Sequence, residues 1–372
     1  MVITLIVFVA LATLKNSNNQ NKMKLKVKIV ILVIYGLIYS NFLSAQGKKY
    51  NVAVVGFYNL ENFFDTIQDP NKNDHDFLPN GPYHYASEVY RDKVHHLATV
   101  ISQIGIEFTP DGLAIMGCAE IEHESVLIDL IHDPLLVSRK YAIVHHESPD
   151  VRGIDVGLIY NPKYFTPKYS APLFVHLPDE NGKPHYTRDV LYVFGMLDGE
   201  PLHVFVNHWP SRRGGEEASA PNRAIAASVC RNAIDSIIKL NPDAKILIVG
   251  DLNDDPVSPS VAKVLGAKGE LKDIQRGELY NPWTAFFKKG IGTLAYNDSW
   301  NLFDQIMLSS GFLNKDQKGF FFKEAKIFSR PWMIQQSGRY KDYPKRTYDF
   351  NKYIGGYSDH FPTYVELLKV AN

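Results

Sequence analysis

The sequence predicts an α/β fold in which two mixed β-sheets pack face to face with helices on their outer sides. Three features of the 372-residue chain point there. Apolar runs of strand length recur from residue 50 to the end. Helices or long loops, rather than two-residue turns, separate them. No repeat, low-complexity tract or Pro/Gly-rich linker divides the chain, so one domain of roughly 320 residues is expected.

The first expected strand is Val52–Tyr58. A helix is expected over Ser87–Ile104, because Val94, Leu97, Ile101 and Ile104 recur at helical spacing before Gly105. Strands at Leu113–Cys118, Tyr141–His145 and Asp155–Tyr160 follow, with a helix at Ser125–Leu136 between the first two. Strands Val190–Met196 and His203–Val206 lead to a second clear helix, Asn222–Leu240, marked by Ala226, Val229, Ala233, Ile237 and Leu240. After strand Lys245–Val249 come a short helix at Pro259–Leu265 and strands at Phe303–Leu308 and Thr363–Leu368.

Residues 1–45 stand apart as a leader. Two apolar runs, Val2 to Leu14 and Ile29 to Leu43, flank the basic stretch Met23–Lys28, and the second ends in Ser44-Ala45. Basic, apolar and small in that order describe a signal peptide, with translation expected to start at Met23 and cleavage near Ala45. The expected location is secreted or periplasmic, with no stable membrane association once cleaved. An uncleaved segment would instead anchor the chain in a membrane. Residues 46–372 are then the catalytic domain.

Net charge is zero, from 40 Lys and Arg against 40 Asp and Glu, but five of the lysines and none of the acids lie in residues 1–45. The remainder is mildly acidic, which excludes a protein that coats nucleic acid with evenly spread basic charge. Cys118 lies in an apolar strand and Cys230 in an amphipathic helix, and both read as separate buried thiols. Two cysteines cannot build a structural zinc site.

Acids, amides and histidines gather where the expected strands end: Asn59-Leu60-Glu61-Asn62, Ala119-Glu120-Ile121-Glu122, Asn207-His208-Trp209, Gly250-Asp251-Leu252-Asn253, Phe303-Asp304-Gln305 and Ser358-Asp359-His360. One Asp or Asn at a strand end is ordinary turn chemistry. Six such groups at strand ends suggest one edge where a site forms. Carboxylates and an amide oxygen suit Mg²⁺, Mn²⁺ or Ca²⁺ better than zinc. A histidine backed by a buried acid can move protons near neutral pH. Arg212 and Arg213, beside Gly214-Gly215, offer guanidinium groups to phosphate. Together these parts describe metal-assisted phosphoester hydrolysis.

The ordered set of motifs resembles the endonuclease/exonuclease/phosphatase superfamily, whose type member is deoxyribonuclease I. The phrase Asn207-His208-Trp209-Pro210-Ser211-Arg212-Arg213-Gly214-Gly215 is most similar to secreted bacterial nucleases of the membrane-nuclease type. The resemblance spans roughly residues 50–370 and implies a four-layer α/β sandwich with the site at one edge of the packed sheets. It also implies Asn59, Glu120 and Asp359 as metal-binding groups. His208, Asp251, Asn253, Asp304 and His360 match catalytic positions, with Asp304 orienting His360. Asp155, in Arg152-Gly153-Ile154-Asp155, stands where the family supplies a carboxylate for the middle histidine. Glu61 and Glu122 have no clear counterpart and read as solvated or supporting groups. Tyr296 and Trp300 are candidates for stacking on a base, and the pairs His95-His96 and His145-His146 read as structural.

The expected function is a secreted, Mg²⁺-dependent phosphodiesterase (Mn²⁺ or Ca²⁺ as alternatives) that acts as an endonuclease on DNA, with RNA as a second candidate substrate. It is expected to be a monomer without a protein partner. One alternative keeps the chemistry on a lipid or inositol phosphate, as in a sphingomyelinase, with Phe320-Phe321-Phe322 as the candidate lipid contact. The other is a non-catalytic surface protein, which would require a lost ligand, whereas all matched positions hold the expected residue types.

Overall fold

The computed structural model describes Lys28, Ile31 and residues 49–180, 182–313 and 319–371. It comprises two compact units, Asn51–Val370 and a smaller one of Met1–Tyr50 with Ala371–Asn372. Apart from Lys28 and Ile31, the expected leader lies outside the described residues. No helix among the described residues is long and apolar enough to cross a membrane.

The larger unit begins with β1 (Tyr50–Phe63), α1 (Ser87–Gln103), β2 (Leu113–Ile121), α2 (Glu124–His132), β3 (Ala142–His145) and β4 (Asp155–Tyr160). It continues through β5 (Phe165–Leu173), β6 (Val190–Leu197), β7 (Glu200–His208), α3 (Glu216–Leu240) and β8 (Ile246–Asp251). Short elements follow: β9 (Ala267–Lys268), β10 (Leu279–Tyr280), α4 (Trp283–Phe287), β11 (Leu294–Tyr296) and β12 (Ser299–Asn301). The chain closes with β13 (Asp304–Ser309), β14 (Phe321–Ile327), β15 (Tyr348–Asp349), β16 (Lys352–Tyr353) and β17 (Thr363–Val370). One sheet of six strands has the order β14-β17-β1-β2-β4-β3, and a second of seven has the order β5-β6-β7-β8-β13-β10-β9. Parallel pairs β1–β2 and β7–β8 sit among antiparallel ones, so both sheets are mixed.

Strand alternation divides the apolar residues between layers. Val55 and Phe57 of β1 and Leu247 and Val249 of β8 enter the core between the sheets. Val54 and Tyr58 turn the other way, onto Leu97 and Ile101 of α1 and Leu127 of α2. Ile246 and Ile248 likewise meet Ala226, Cys230 and Ile234 of α3. The result is the expected helix–sheet–sheet–helix order. Strands covered on both faces read as continuous apolar runs, as Ile246 to Val249 does. Gly117 marks the closest approach of the sheets, since a Cβ there would lie 2.6 Å from Val249 Cγ2 and 3.1 Å from Val206 Cγ1.

Three elements depart from expectation. Helix α3 starts at Glu216 and runs through Pro221, which the sequence reading placed outside it. Side-chain donors serve its first turn: Ser219 Oγ bonds Gly215 O, and Arg223 Nη2 bonds Glu216 O at 2.8 Å. Strand β5 was not anticipated because it carries Pro167 and Pro172, which an edge strand tolerates. Strand β14 and the residue before it place Phe322 and Phe320 against and in the core between the sheets, so these rings pack inward and do not form a lipid-dipping hairpin. Cys118 and Cys230 are both free and buried.

Candidate active site

Strand register assembles the site. In the second sheet Asp251 ends β8 with His208 directly beside it on parallel β7, and Asp304 faces it from antiparallel β13. In the first sheet, β1 carries Asn59 and β2 carries Glu120, the two strands running parallel. His360 precedes β17 and reaches the same edge.

The Asn59 amide connects the sheets. Its Oδ1 accepts the backbone N–H of Glu61 at 2.9 Å, which fixes the orientation of the group. Nδ2 therefore donates to Asp251 Oδ2 at 3.0 Å and lies 3.3 Å from Glu120 Oε1. This corrects the assignment of Asn59 as a metal ligand: its nitrogen, not its oxygen, faces the carboxylates, and it holds Glu120 and Asp251 together. Glu120 itself has a positive φ of 59°, a backbone state that a non-glycine residue adopts only when its surroundings impose it. Its Oε2 accepts Asn62 N at 2.8 Å.

His208 Nε2 lies 3.8 Å from both Glu120 Oε1 and Asp251 Oδ2. His360 Nε2 lies 3.9 Å from Asp251 Oδ2 and 3.8 Å from Asp359 Oδ1. These separations exceed a hydrogen bond, so the two histidines and three carboxylates face one shared space without closing it. On its other side His360 Nδ1 is 2.8 Å from Asp304 Oδ2, which also accepts Thr293 Oγ1. Asp304 therefore orients His360. Asn253, with φ 48°, donates its N–H to Asp251 Oδ1 at 2.9 Å and its amide to Trp209 O at 2.9 Å.

The two histidines are held in opposite charge states. Burial pushes the His208 imidazole well below its usual range, and the charges of Arg188, Arg152 and His360 add to the effect. Burial pulls on His360 in the same direction, but Asp304, Asp359 and Asp251 outweigh it and hold that imidazole well above its usual range. Burial raises Asp251 to about 6, against the opposing pull of His360 and with help from Asp304 and Glu120. Glu61 is raised to about 7 by burial and by Asp359, although Lys93 and Thr347 favour its ionised form.

The donor set fits a hard divalent cation. Glu61, Glu120, Asp251, Asp304 and Asp359 bring more carboxylates together than Lys93, Arg346 and His360 balance. A bound cation would relieve the upward shifts of Asp251 and Glu61. Glu120 and Asp359 are the groups that would hold it. Asp359 is part-exposed, and its Oδ2 sits 3.7 Å from Arg346 Nη2.

Other expectations need correction. Asp155 does not serve His208, whose Nδ1 is buried without a partner. Asp155 Oδ2 instead meets His145 Nε2 at 3.1 Å, and Oδ1 accepts Ser148 N at 2.9 Å, so Asp155 braces the loop between β3 and β4. Arg212 is not available for phosphate. It donates to Asn253 O at 3.0 Å, Asp255 Oδ2 at 3.1 Å and Glu216 Oε2 at 2.7 Å, and lies over the Phe303 ring. Arg213 is exposed and lines a cleft bounded by Arg152 and Arg188. Tyr296 and Trp300 project from the β11–β12 hairpin, and Trp300 stacks on Phe361 with centroids 6.2 Å apart, next to His360. Both are exposed.

Lys93 and Thr347 escaped the sequence reading, which allowed Glu61 a supporting place. Glu61 is buried, not solvated, and accepts both Thr347 N and Thr347 Oγ1, at 2.8 and 2.6 Å. Lys93, on α1, is buried beside it, 3.8 Å from its Oε2 and 2.7 Å from Thr347 Oγ1. Glu61 and Asn62 both take a positive φ, 51° and 47°, so β1 leaves regular alternation after Asn59 and strand spacing alone does not say where Glu61 points. Nothing local marked Lys93 or Thr347. Ser358 Oγ donates to Asn59 O at 2.7 Å and thereby ties the His360 segment to β1.

A model of the Endonuclease/Exonuclease/phosphatase family matches residues 54–369. No curated protein sequence matches the chain. Among solved structures, D. rerio TDP2 complexed with a single strand DNA product is 15% identical over 85% of this chain and 99% of its own, with a TM-score of 0.50. The Bacteroides thetaiotaomicron mannosyl-6-phosphatase is 15% identical over the same 85% and 99%, also with a TM-score of 0.50. The catalytic domain of human Nocturnin with a bound sulfate anion is 13% identical over 86% of this chain and 96% of that one, with a TM-score of 0.51. At these identities the likeness is one of fold.

Proposed function

The chain belongs to the endonuclease/exonuclease/phosphatase family, whose members are divalent-metal-dependent phosphoric ester hydrolases, and from that premise we propose that it hydrolyses phosphodiester bonds in nucleic acid, DNA first, with Mg²⁺ as its cation. The observation that carries the reading is the meeting of Glu120, His208, Asp251 and His360 around one space, with Asn59 bonded to the two carboxylates. Glu120 and Asp359 would hold the divalent cation, which would supply positive charge against the negative charge of the phosphate.

This chain's own residues do the rest. His360, kept protonated by Asp304, faces the phosphate as a hydrogen-bond donor and stabilises negative charge as it builds. Asp251 is held by Asn59 and Asn253 and has its proton affinity raised by burial. It orients the attacking water and takes its proton. His208 stays neutral, and its Nε2 is placed to hydrogen-bond a phosphate oxygen or the water. Trp300, exposed beside His360, and Tyr296 on the same hairpin offer ring faces to a base. The D. rerio TDP2 complex with DNA product supports nucleic acid as the substrate class. The rings that would favour a lipid substrate, Phe320 and Phe322, pack inward instead.

A substrate panel tests the proposal: supercoiled plasmid, single-stranded RNA, sphingomyelin and inositol phosphates, each with Mg²⁺, Mn²⁺ and Ca²⁺ in turn. Plasmid nicking with Mg²⁺, abolished by EDTA, is the expected result. Hydrolysis of the lipid or inositol phosphates alone overturns it. We further propose that residues 23–45 direct export. Mass spectrometry of protein recovered outside the cytoplasm should then find an N-terminus near residue 46, and an intact leader on cytoplasmic protein contradicts this.

A further inference from the structure

Beside the catalytic cluster lies a cleft of about 900 Å³ that takes no part in the chemistry above. It is enclosed by Asp150–Arg152 between β3 and β4, by residues 183–188 leading into β6, and by residues 210–214 after β7. Four cations line it, Arg152, Lys183, Arg188 and Arg213, against the carboxylates of Asp150 and Glu180. Asp150 is already committed, since Oδ2 accepts Arg188 Nη1 at 3.0 Å and Oδ1 accepts Arg152 N at 2.9 Å. Glu180 Oε2 lies 3.9 Å from His185 Nδ1. By contrast, Lys183 and Arg213 make no side-chain hydrogen bond or ion pair among the described residues.

Two buried groups of the lining also lack a partner. Arg188 Nε and Thr187 Oγ1 have no partner, in residues only 6% and 2% exposed, and both atoms are closed off from solvent behind the cleft wall. A buried donor left without an acceptor is destabilising unless a ligand or water supplies one. The loose cations Lys183 and Arg213 ask for an oxyanion.

The cleft adjoins the reacting centre. Arg188 Nη2 donates to the carbonyl of Trp209, the residue after His208, at 2.6 Å, and that carbonyl also receives the Asn253 amide at 2.9 Å. Pro210 and Ser211 continue directly into the cleft wall. A strand whose scissile phosphate lies between His208 and His360 therefore meets this basic wall within a residue or two of His208.

We propose that the cleft binds a phosphate of the substrate strand neighbouring the one being hydrolysed, and so selects polyanionic strands over esters with a single phosphate. The inference rests on the nucleic-acid reading above and adds to it a specificity subsite built from the exposed cations Arg213 and Lys183. Arg213 and Lys183 are exposed, so their replacement by glutamine leaves the fold intact.

The test compares kcat/KM for a short single-stranded DNA oligonucleotide with that for bis(p-nitrophenyl) phosphate, in the wild type and in Arg213→Gln/Lys183→Gln, across a salt series. The ratio of the two values should fall roughly tenfold or more in the double variant, and the salt dependence of oligonucleotide hydrolysis should become shallower by about one unit per cation removed. An unchanged ratio and slope, in an enzyme that does cleave the oligonucleotide, overturn the subsite alone. A wild type that hydrolyses bis(p-nitrophenyl) phosphate but no nucleic acid overturns the nucleic-acid reading, and the subsite with it.

Discussion

Between the two histidines of the site sits one carboxylate, and the charge states of all three follow from what lies behind them. His360 is charged because Asp304 backs its Nδ1, whereas His208 has nothing behind its Nδ1 and faces arginines. In metal-free protein, Asp304→Asn should lower the pKa of His360 by a unit or more, read from its imidazole resonances by NMR, and reduce turnover by about 10²-fold or more. An unmoved resonance would remove Asp304 from its role. Asp155 predicts the contrary pattern. Asp155→Asn should cost stability, about 1–3 kcal/mol from weakened bonds to His145 and Ser148, with little loss of turnover. Chemical denaturation and kinetics on one preparation check this. Most of these groups were legible because short polar phrases at strand ends kept a recognisable order. The partner of Asp155 was not, since motif position cannot say which histidine a carboxylate meets. The adjacency of β3 and β4, which pairs His145 with Gly157, was the available clue.

Elements carry the site by how closely they approach. The two sheets touch over Gly117, where a Cβ would overlap Val249. Gly117→Ala should therefore destabilise the fold by about 1–3 kcal/mol, measured by urea unfolding, and an unchanged midpoint would mean the sheets are more loosely apposed. Helix α1 is joined to β1 and to the segment before β15 by the buried group Lys93, Glu61 and Thr347. Lys93→Met removes one buried charge and leaves Glu61 unmatched, at a cost of about 3–5 kcal/mol, and adding Glu61→Gln should recover part of it. Strands buried on both faces, such as β8, announced themselves as apolar runs. The edge strands β5 and β14 did not: β5 is interrupted by prolines, and β14 mixes charged with apolar residues because only part of it is covered. Helix α3 began earlier than its apolar periodicity because its first turn is held by polar side chains.

At the scale of the molecule, the fold concentrates buried carboxylates on one edge, and that has a pH consequence. Glu61, Asp251 and Glu122 are all raised by burial, to about 7, about 6 and about 7. Each binds a proton more tightly folded than unfolded, so its protonation favours the folded state at low pH, and that advantage is lost as pH rises through 6 to 7. Chelated protein should accordingly melt at a lower temperature at pH 8 than at pH 6. Added Mg²⁺ should raise the melting temperature more at pH 8 than at pH 6, and equal shifts would argue against a cation among these carboxylates. The overall layering was legible because it depends on apolar alternation, whereas the meeting of β1, β2, β7, β8 and the His360 segment depends on strand order, which composition does not encode. That meeting is tested most directly by hydrolysis of bis(p-nitrophenyl) phosphate and plasmid DNA by wild type and Glu120→Gln, with Mg²⁺ and with excess EDTA. The account predicts that EDTA abolishes wild-type turnover and that Glu120→Gln, still folded, needs far more Mg²⁺ and recovers little activity. Undiminished turnover in EDTA, or a wild-type Mg²⁺ response in Glu120→Gln, would contradict it.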